Sequence, residues 1–166
     1  MRRASWWASR FRQFRSYLGA RVAPGEQADL ATWLTPAELA LFEAMHVADR
    51  RHGLDVVATL RRAGVDERDV LLAGLFHDAG KGPAVGLWPR VAWSLGEAWG
   101  SWVVELAARL PGGRAAVERL RDHAEVSAVL AAAAGCPART VALIRDQAAP
   151  RDRRFGELLR LADEAN

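Results

Sequence analysis

The stretch "LLAGLFHDAGKGP", residues 71–83, decides how this chain reads. Six apolar or glycine residues run into His77 and Asp78; then come Ala79, Gly80, the chain's one lysine, Lys81, and a Gly-Pro stop. An apolar run that long, with no strand-like alternation, predicts a buried helix that ends by presenting an imidazole beside a carboxylate. A charged group at the end of a buried helix is costly unless something positive neutralises it, and a metal ion can do so while using both side chains as ligands.

That helix is expected to open at Asp66, with Glu67 and Asp69 in its first turn, and to end near Gly80. Before it, "HGLDVVATLRRA" predicts a helix from near Asp49 to a terminating Gly64. The two then form an antiparallel pair. His52 lies 12 residues before Gly64 and His77 lies 11 after Asp66. At ~1.5 Å per residue the arms are nearly equal, so both histidines reach the same end of the pair. Further upstream, "TPAE" at 35–38 is a helix start: Thr35 caps, Pro36 takes the first turn and Glu38 completes a capping box. Leu39, Phe42 and Met45 share one face of that helix. His46, at its tail, is the rival of His52 as a first ligand; a surface or structural histidine is the reading preferred for it.

Downstream, residues 88–110 are apolar and rich in tryptophan, but Glu97 and Glu105 interrupt them, which argues for a buried or site-covering helix and against a membrane span. "PGG" at 111–113 breaks the segment, and helices are expected over 114–134, 138–147 and 153–165. In the last, Phe155, Leu159 and Asp163 fall at i, i+4 and i+8, so Asp163 points with the apolar face and Glu164 points away. Asp163 is thus a third candidate donor. Imidazole nitrogen and carboxylate oxygen suit Mn, Fe, Co, Ni or Zn without choosing among them. No alternating strand pattern and no repeat emerges, and the chain reads as all-α.

The 166 residues, 51% of them hydrophobic, fit one domain with a real core. A single cysteine, Cys136, excludes a disulfide framework and suits a reducing cytoplasm; before Pro137 it reads as a small, half-buried packing residue. The net charge is +3, with Arg2, Arg3, Arg10, Arg12, Arg15 and Arg21 all preceding the first acid, Glu26. Elsewhere bases alternate with acids, so no sequence-specific nucleic-acid face is expected. "MRRASWWASRFRQF" never reaches an uninterrupted apolar core and does not read as a secretory signal. Trp7, Phe11, Phe14 and Leu18 make an apolar stripe on an arginine-rich helix, which suits either docking on the core or peripheral contact of residues 1–20 with a membrane or a protein. A loop is expected around Pro24-Gly25.

His52, the His77-Asp78 pair followed by "AGK", and Asp163 in "LADE" resemble the HD superfamily of metal-dependent phosphohydrolases, from roughly residue 35 to the C-terminus. The resemblance implies a compact HD-domain-like bundle of about six to eight helices with an extra N-terminal amphipathic helix. It divides the chain into an arm, residues 1–30, and a metal-binding domain, residues 31–166. It implies His52, His77, Asp78 and Asp163 as ligands of a divalent ion (Mn, Fe, Ni, Co, Zn or Mg). Lys81 matches the family's lysine after the HD pair and would contact a phosphate or hold the loop. His123, in "RDHAEVSAVLAAAAG", matches a histidine that serves a second metal or the substrate phosphate. The chain departs from the family near "VALIRDQ", where binuclear members carry further histidines and this one has Asp146 and Gln147. One ion per chain is therefore expected. The implied activity is hydrolysis of a phosphomonoester or phosphodiester, chiefly of nucleotides, with Asp78 ligating and orienting the nucleophile and Lys81 and His123 offsetting phosphate charge. The alternative is a non-catalytic, metal-containing HD module that binds a nucleotide or a protein partner in signalling.

Overall fold

Thr35 caps the helix that "TPAE" predicts. Its hydroxyl accepts the Glu38 N–H at 3.3 Å while the Glu38 carboxylate accepts the Thr35 N–H at 2.8 Å. The computed structural model describes residues 19–82, 102–110 and 112–166, and among them it has eight α-helices and no strand. These are α1 (Pro24–Leu30), α2 (Pro36–Ala44), α3 (Val47–Arg62), α4 (Arg68–Phe76), α5 (Trp102–Ala108), α6 (Gly113–Ala133), α7 (Ala138–Arg145) and α8 (Phe155–Ala165); a 3-10 turn covers Ala79–Lys81. The fold is an all-α bundle.

The α3–α4 pair is its centre. Gly64 adopts φ +79°, the Gly64 N–H donates to the Arg61 carbonyl and the Val65 N–H to that of Leu60, closing α3 with a Schellman turn that reverses the chain. Gly135 ends α6 the same way, at φ +82°. α8 packs on both α3 and α4, α7 packs on α4, and α6 packs on α7 and on the 3-10 turn. One buried cluster results, including Leu30, Phe42, Val56, Leu60, Leu72, Phe76, Ile144 and Leu159. Each such side chain contributes about 1.5–3 kcal/mol on leaving water.

Four expectations need correction. Pro24-Gly25 opens a helix and is not a loop: Pro24 has no N–H to lose in a first turn, and Glu26 accepts the Ala23 N–H at 2.9 Å. Glu26 also receives Arg51 at 2.7 Å, which ties α1 to α3. His46 is not the tail of α2. It caps α3, its Nδ1 accepting the Ala48 N–H at 3.2 Å, so α3 begins before Asp49. The helix leading to the HD pair ends at Phe76, and the 3-10 turn replaces its last residues. Of the tryptophan-rich segment, the described part carries Trp102, Leu106 and Leu110 at 58%, 57% and 61% exposure, so α5 is not a buried helix. Residues 88–101 and the expected N-terminal helix up to Leu18 lie outside the described residues. No helix among the described residues is long and apolar enough to cross a membrane.

Glu38 has a second, structural role. It is buried, and its carboxylate receives Arg68 at 2.5 Å and lies 3.8 Å from the Cys136 sulfur. It thereby links α2, α4 and the α6–α7 connection. Cys136 is buried, as a packing residue should be.

Candidate metal centre

The arms of the α3–α4 pair approach closely beside the histidines. A Cβ on Gly53 would lie 2.5 Å from the Leu75 carbonyl oxygen, and one on Gly74 would lie 2.8 Å from Leu60 Cδ1, so glycine on each helix permits the approach. Next to them the His52 and His77 rings meet edge-on, with centroids 5.1 Å apart. The spacing argument for these two residues therefore describes the structure.

His77 follows the last residue of α4, where helix carbonyls lack partners. Its Nδ1–H donates to one of them, the Gly74 carbonyl, at 2.9 Å. Because a carbonyl can only accept, the neutral ring's lone pair is on Nε2. That Nε2 is fully buried and has no hydrogen-bond partner. Asp163 arrives on α8, whose Phe155, Leu159 and Ala162 are buried while Glu164 turns out to pair with Arg160. The end of α8 is fixed by the Asn166 amide, which donates to the Thr59 hydroxyl of α3 at 2.9 Å. Asp163 Oδ1 consequently sits 2.8 Å from His52 Nε2 and 3.4 Å from His77 Nε2.

The donor atoms of His52, His77 and Asp163 all lie within 4.8 Å of one another, a group that could hold a metal ion. Two ligands about 2.1 Å from one ion stand about 3–3.5 Å apart, so the spacing fits with small adjustment. His77 Nε2 supplies the chemistry of the fit: buried and without a well-formed hydrogen bond, it is aimed at the place where the other two donors converge, and it offers a lone pair there once its proton leaves.

Asp78 stands at the edge of this trio. Its Oδ2 is 3.6 Å from His77 Nε2, 4.0 Å from His52 Nε2 and 2.5 Å from Lys81 Nζ. Its Oδ1 is 3.6 Å from His123 Nε2. The five residues taken from the sequence around His77 (His52, Asp78, Lys81, His123 and Asp163) are thus all brought to one place.

Charge follows geometry. Burial pushes His77 down, but the Asp78 and Asp163 carboxylates outweigh it and raise the imidazole to about 9. Burial pushes Asp78 up, and Lys81 followed by His77, His52 and His123 overcomes this and holds it far below the usual carboxylate range. Asp163 is likewise raised by burial and driven far down by His52 and His77. His123 is lowered, chiefly by burial. Two ionised carboxylates, facing an imidazolium and Lys81, form a charge set in which a divalent cation can replace the proton on His77.

Several supporting contacts were not legible in the sequence. His123 Nδ1–H donates to the Leu120 carbonyl at 2.6 Å, leaving Nε2 toward Asp78. Gln147, a poor ligand, acts as a brace: its amide donates to the His77 carbonyl at 3.3 Å and lies 3.5 Å from His123 Nε2. The Gly80 N–H donates to Ser127 Oγ at 2.8 Å, which seats the 3-10 turn on α6. Ser127 lies one helical turn after His123, and that same-face spacing is the signal from which it could have been found. Asp49, buried one turn before Gly53, was read only as a helix start.

In comparisons with known proteins, no family model, no curated protein and no solved structure matches this chain.

Proposed function

We propose that this protein is a metal-dependent phosphohydrolase of the HD type, acting on a phosphomonoester or phosphodiester, with nucleotides as the leading substrate class. The observation that carries the reading is the buried, unpartnered Nε2 of His77 facing His52 and Asp163, with Lys81 and His123 placed on either side of Asp78. His52, His77 and Asp163 would hold a divalent ion, with Asp78 as fourth ligand after a small rotation. When bound, such an ion lowers the pKa of water and polarises a phosphoryl oxygen. Asp78, ionised and flanked by Lys81, would orient the nucleophile. Lys81 Nζ would donate to a phosphoryl oxygen and offset charge that develops there, and His123 would add to this when its ring is protonated on Nε2 as well as Nδ1. The Gly74 and Leu120 carbonyls orient the His77 and His123 rings through their Nδ1–H groups.

The test is phosphate release from a nucleotide panel and an aryl phosphodiester with Mn, Fe, Ni or Mg, run beside metal analysis of wild type, His77→Ala and Asp78→Ala. Turnover is expected in the wild type, with metal lost in His77→Ala and turnover lost in Asp78→Ala. Full metal content and full activity in Asp78→Ala would overturn the reading. Metal binding without turnover on any substrate would favour the non-catalytic module, a reading to which Gln147 in place of a family histidine lends support.

A further inference from the structure

Residues 80–82 run along α6 in the opposite direction to it. Gly80 lies against the His123 carbonyl and Ser127, and Gly82 lies against Arg119, one turn earlier on the helix. Gly82 adopts φ +71°, and a Cβ there would fall 2.9 Å from Arg119 Nη1 and 3.9 Å from Arg119 Cζ. The glycine therefore serves twice: it allows the left-handed turn, and it leaves room for a guanidinium against the main chain directly after Lys81.

Arg119 and His123 are four residues apart on α6 and share the face turned to the 3-10 turn. Since helical side chains lean toward the N-terminus, Arg119 extends along α6 away from His123 and lies against Gly82, the residue after Lys81. The charges of the two residues are committed differently. Lys81 Nζ is held by Asp78 at 2.5 Å. Among the described residues no carboxylate pairs with Arg119, whereas Arg114 on the same helix pairs with Glu118, and Arg145 on α7 pairs with Glu125. Asp78 and Asp163 together cancel a divalent ion, and Lys81 leaves one positive charge for the phosphate bound beside it. Arg119 adds a second positive charge beside Gly82, one helical turn from His123.

We infer that Arg119 is a specificity-determining residue that takes a second anionic group of the substrate, a phosphoryl group attached beyond the one hydrolysed. The inference rests on the phosphohydrolase reading above and selects within it substrates ending in a diphosphate or longer chain over those with a lone phosphate. A guanidinium suits this task because its planar fork meets two phosphoryl oxygens at once.

The experiment measures calorimetric affinities for orthophosphate and for imidodiphosphate, whose P–N–P bridge resists hydrolysis, at a fixed, buffered concentration of free manganese. The proteins are wild type, Arg119→Gln, Arg119→Lys and Arg121→Gln, the last an exposed arginine on another face of α6. Arg119→Gln is expected to weaken imidodiphosphate about tenfold or more and orthophosphate less than about twofold, with Arg119→Lys between. Arg121→Gln should change neither affinity. An unchanged ratio of the two affinities in Arg119→Gln, or the same loss in Arg121→Gln, would overturn the inference while orthophosphate binding still supports the metal site. If the manganese-loaded wild type binds neither anion, the phosphohydrolase reading falls and this inference with it.

Discussion

Replacing Gly80 by alanine tests whether the close seat of the 3-10 turn on α6 builds the site. A Cβ there would collide with the His123 carbonyl oxygen and come within 2.6 Å of the Ser127 backbone nitrogen. Neither atom belongs to a flexible side chain, so the turn has to lift from the helix. Overpacking of this kind costs about 1–3 kcal/mol. Lifting also breaks the bond from the Gly80 N–H to Ser127 Oγ, and a buried donor left unmade costs about 1–3 kcal/mol more. The lower backbone entropy of alanine in the unfolded chain returns only about 0.4–1 kcal/mol. The net loss is about 1–5 kcal/mol, and at about 2–4 °C per kcal/mol for a chain of this size, Tm should fall by roughly 2–20 °C. Thermal unfolding followed by circular dichroism measures it. Removing the hydroxyl as well, in Gly80→Ala/Ser127→Ala, should not restore stability, because the two backbone atoms remain in the way. At a temperature where the variant is folded, metal content should persist, since His52 and Asp163 sit on α3 and α8 and His77 directly follows α4, while turnover falls as Lys81 and His123 separate. A Tm within about 2 °C of wild type, or rescue by the serine substitution, would refute the steric reasoning.

Two further predictions concern ionisation. Without an ion His77 is raised from 6.5 to about 9, so its protonation stabilises the fold below pH 6.5 and that contribution disappears as pH rises through about 9. An ion needs the unprotonated Nε2, so manganese affinity measured against a competing chelator should fall about tenfold per pH unit from 9 toward 6.5; a flat profile between pH 9 and 7 would contradict this. Cys136 is pushed up to about 12 by burial and then by the Glu38 carboxylate. With a thiolate population lowered about a thousandfold from the ordinary value, the folded protein at pH 8 should react with a thiol reagent far more slowly than in urea, and a ratio under about tenfold would show the thiol to be open.

What the sequence revealed depended on the range of the interaction. The Thr35–Glu38 capping box is made by neighbours, and it is found as expected. The meeting of His52 with His77 follows from helix rise and a glycine stop, two regular quantities, and the position of Asp163 follows from an apolar period on α8. Proline and glycine at 24–25 misled because the pair that marks a turn also fits a helix's first turn, and the choice between them was made by Glu26 reaching Ala23 and Arg51. His46 misled for a related reason: as a cap it belongs to the helix after it. The seat of Gly80 on Ser127, the brace of Gln147 on His77 and the approach of Gly53 to Leu75 join residues separated by 47, 70 and 22 positions, and no local pattern encodes such pairings.

Burial of a polar group does not by itself mark a functional site, and two buried groups in this protein show why. Glu38 and His77 are each 1% exposed. The Glu38 carboxylate is answered from three sides, by Arg68, the Thr35 N–H and the Cys136 thiol, so its burial is accounted for by the fold it ties together. His77 is answered on Nδ1 and unanswered on Nε2. An unanswered atom is still not sufficient, because Trp33 Nε1 and Arg50 Nε are buried without partners too. Those two lie beside a cation or an aromatic ring, with Arg61 over the Trp33 indole at 5.6 Å and Arg50 over the Phe42 ring at 5.9 Å, and among the described residues no group of potential ligands converges on either. Among the described residues, only at His77 does a buried, unpartnered ring nitrogen meet a second imidazole and a carboxylate from two other segments of the chain. The cost of leaving Nε2 unmade, about 1–3 kcal/mol, would be offset by a bound ion, and it is this conjunction that separates a group able to hold a metal from an imperfectly satisfied core.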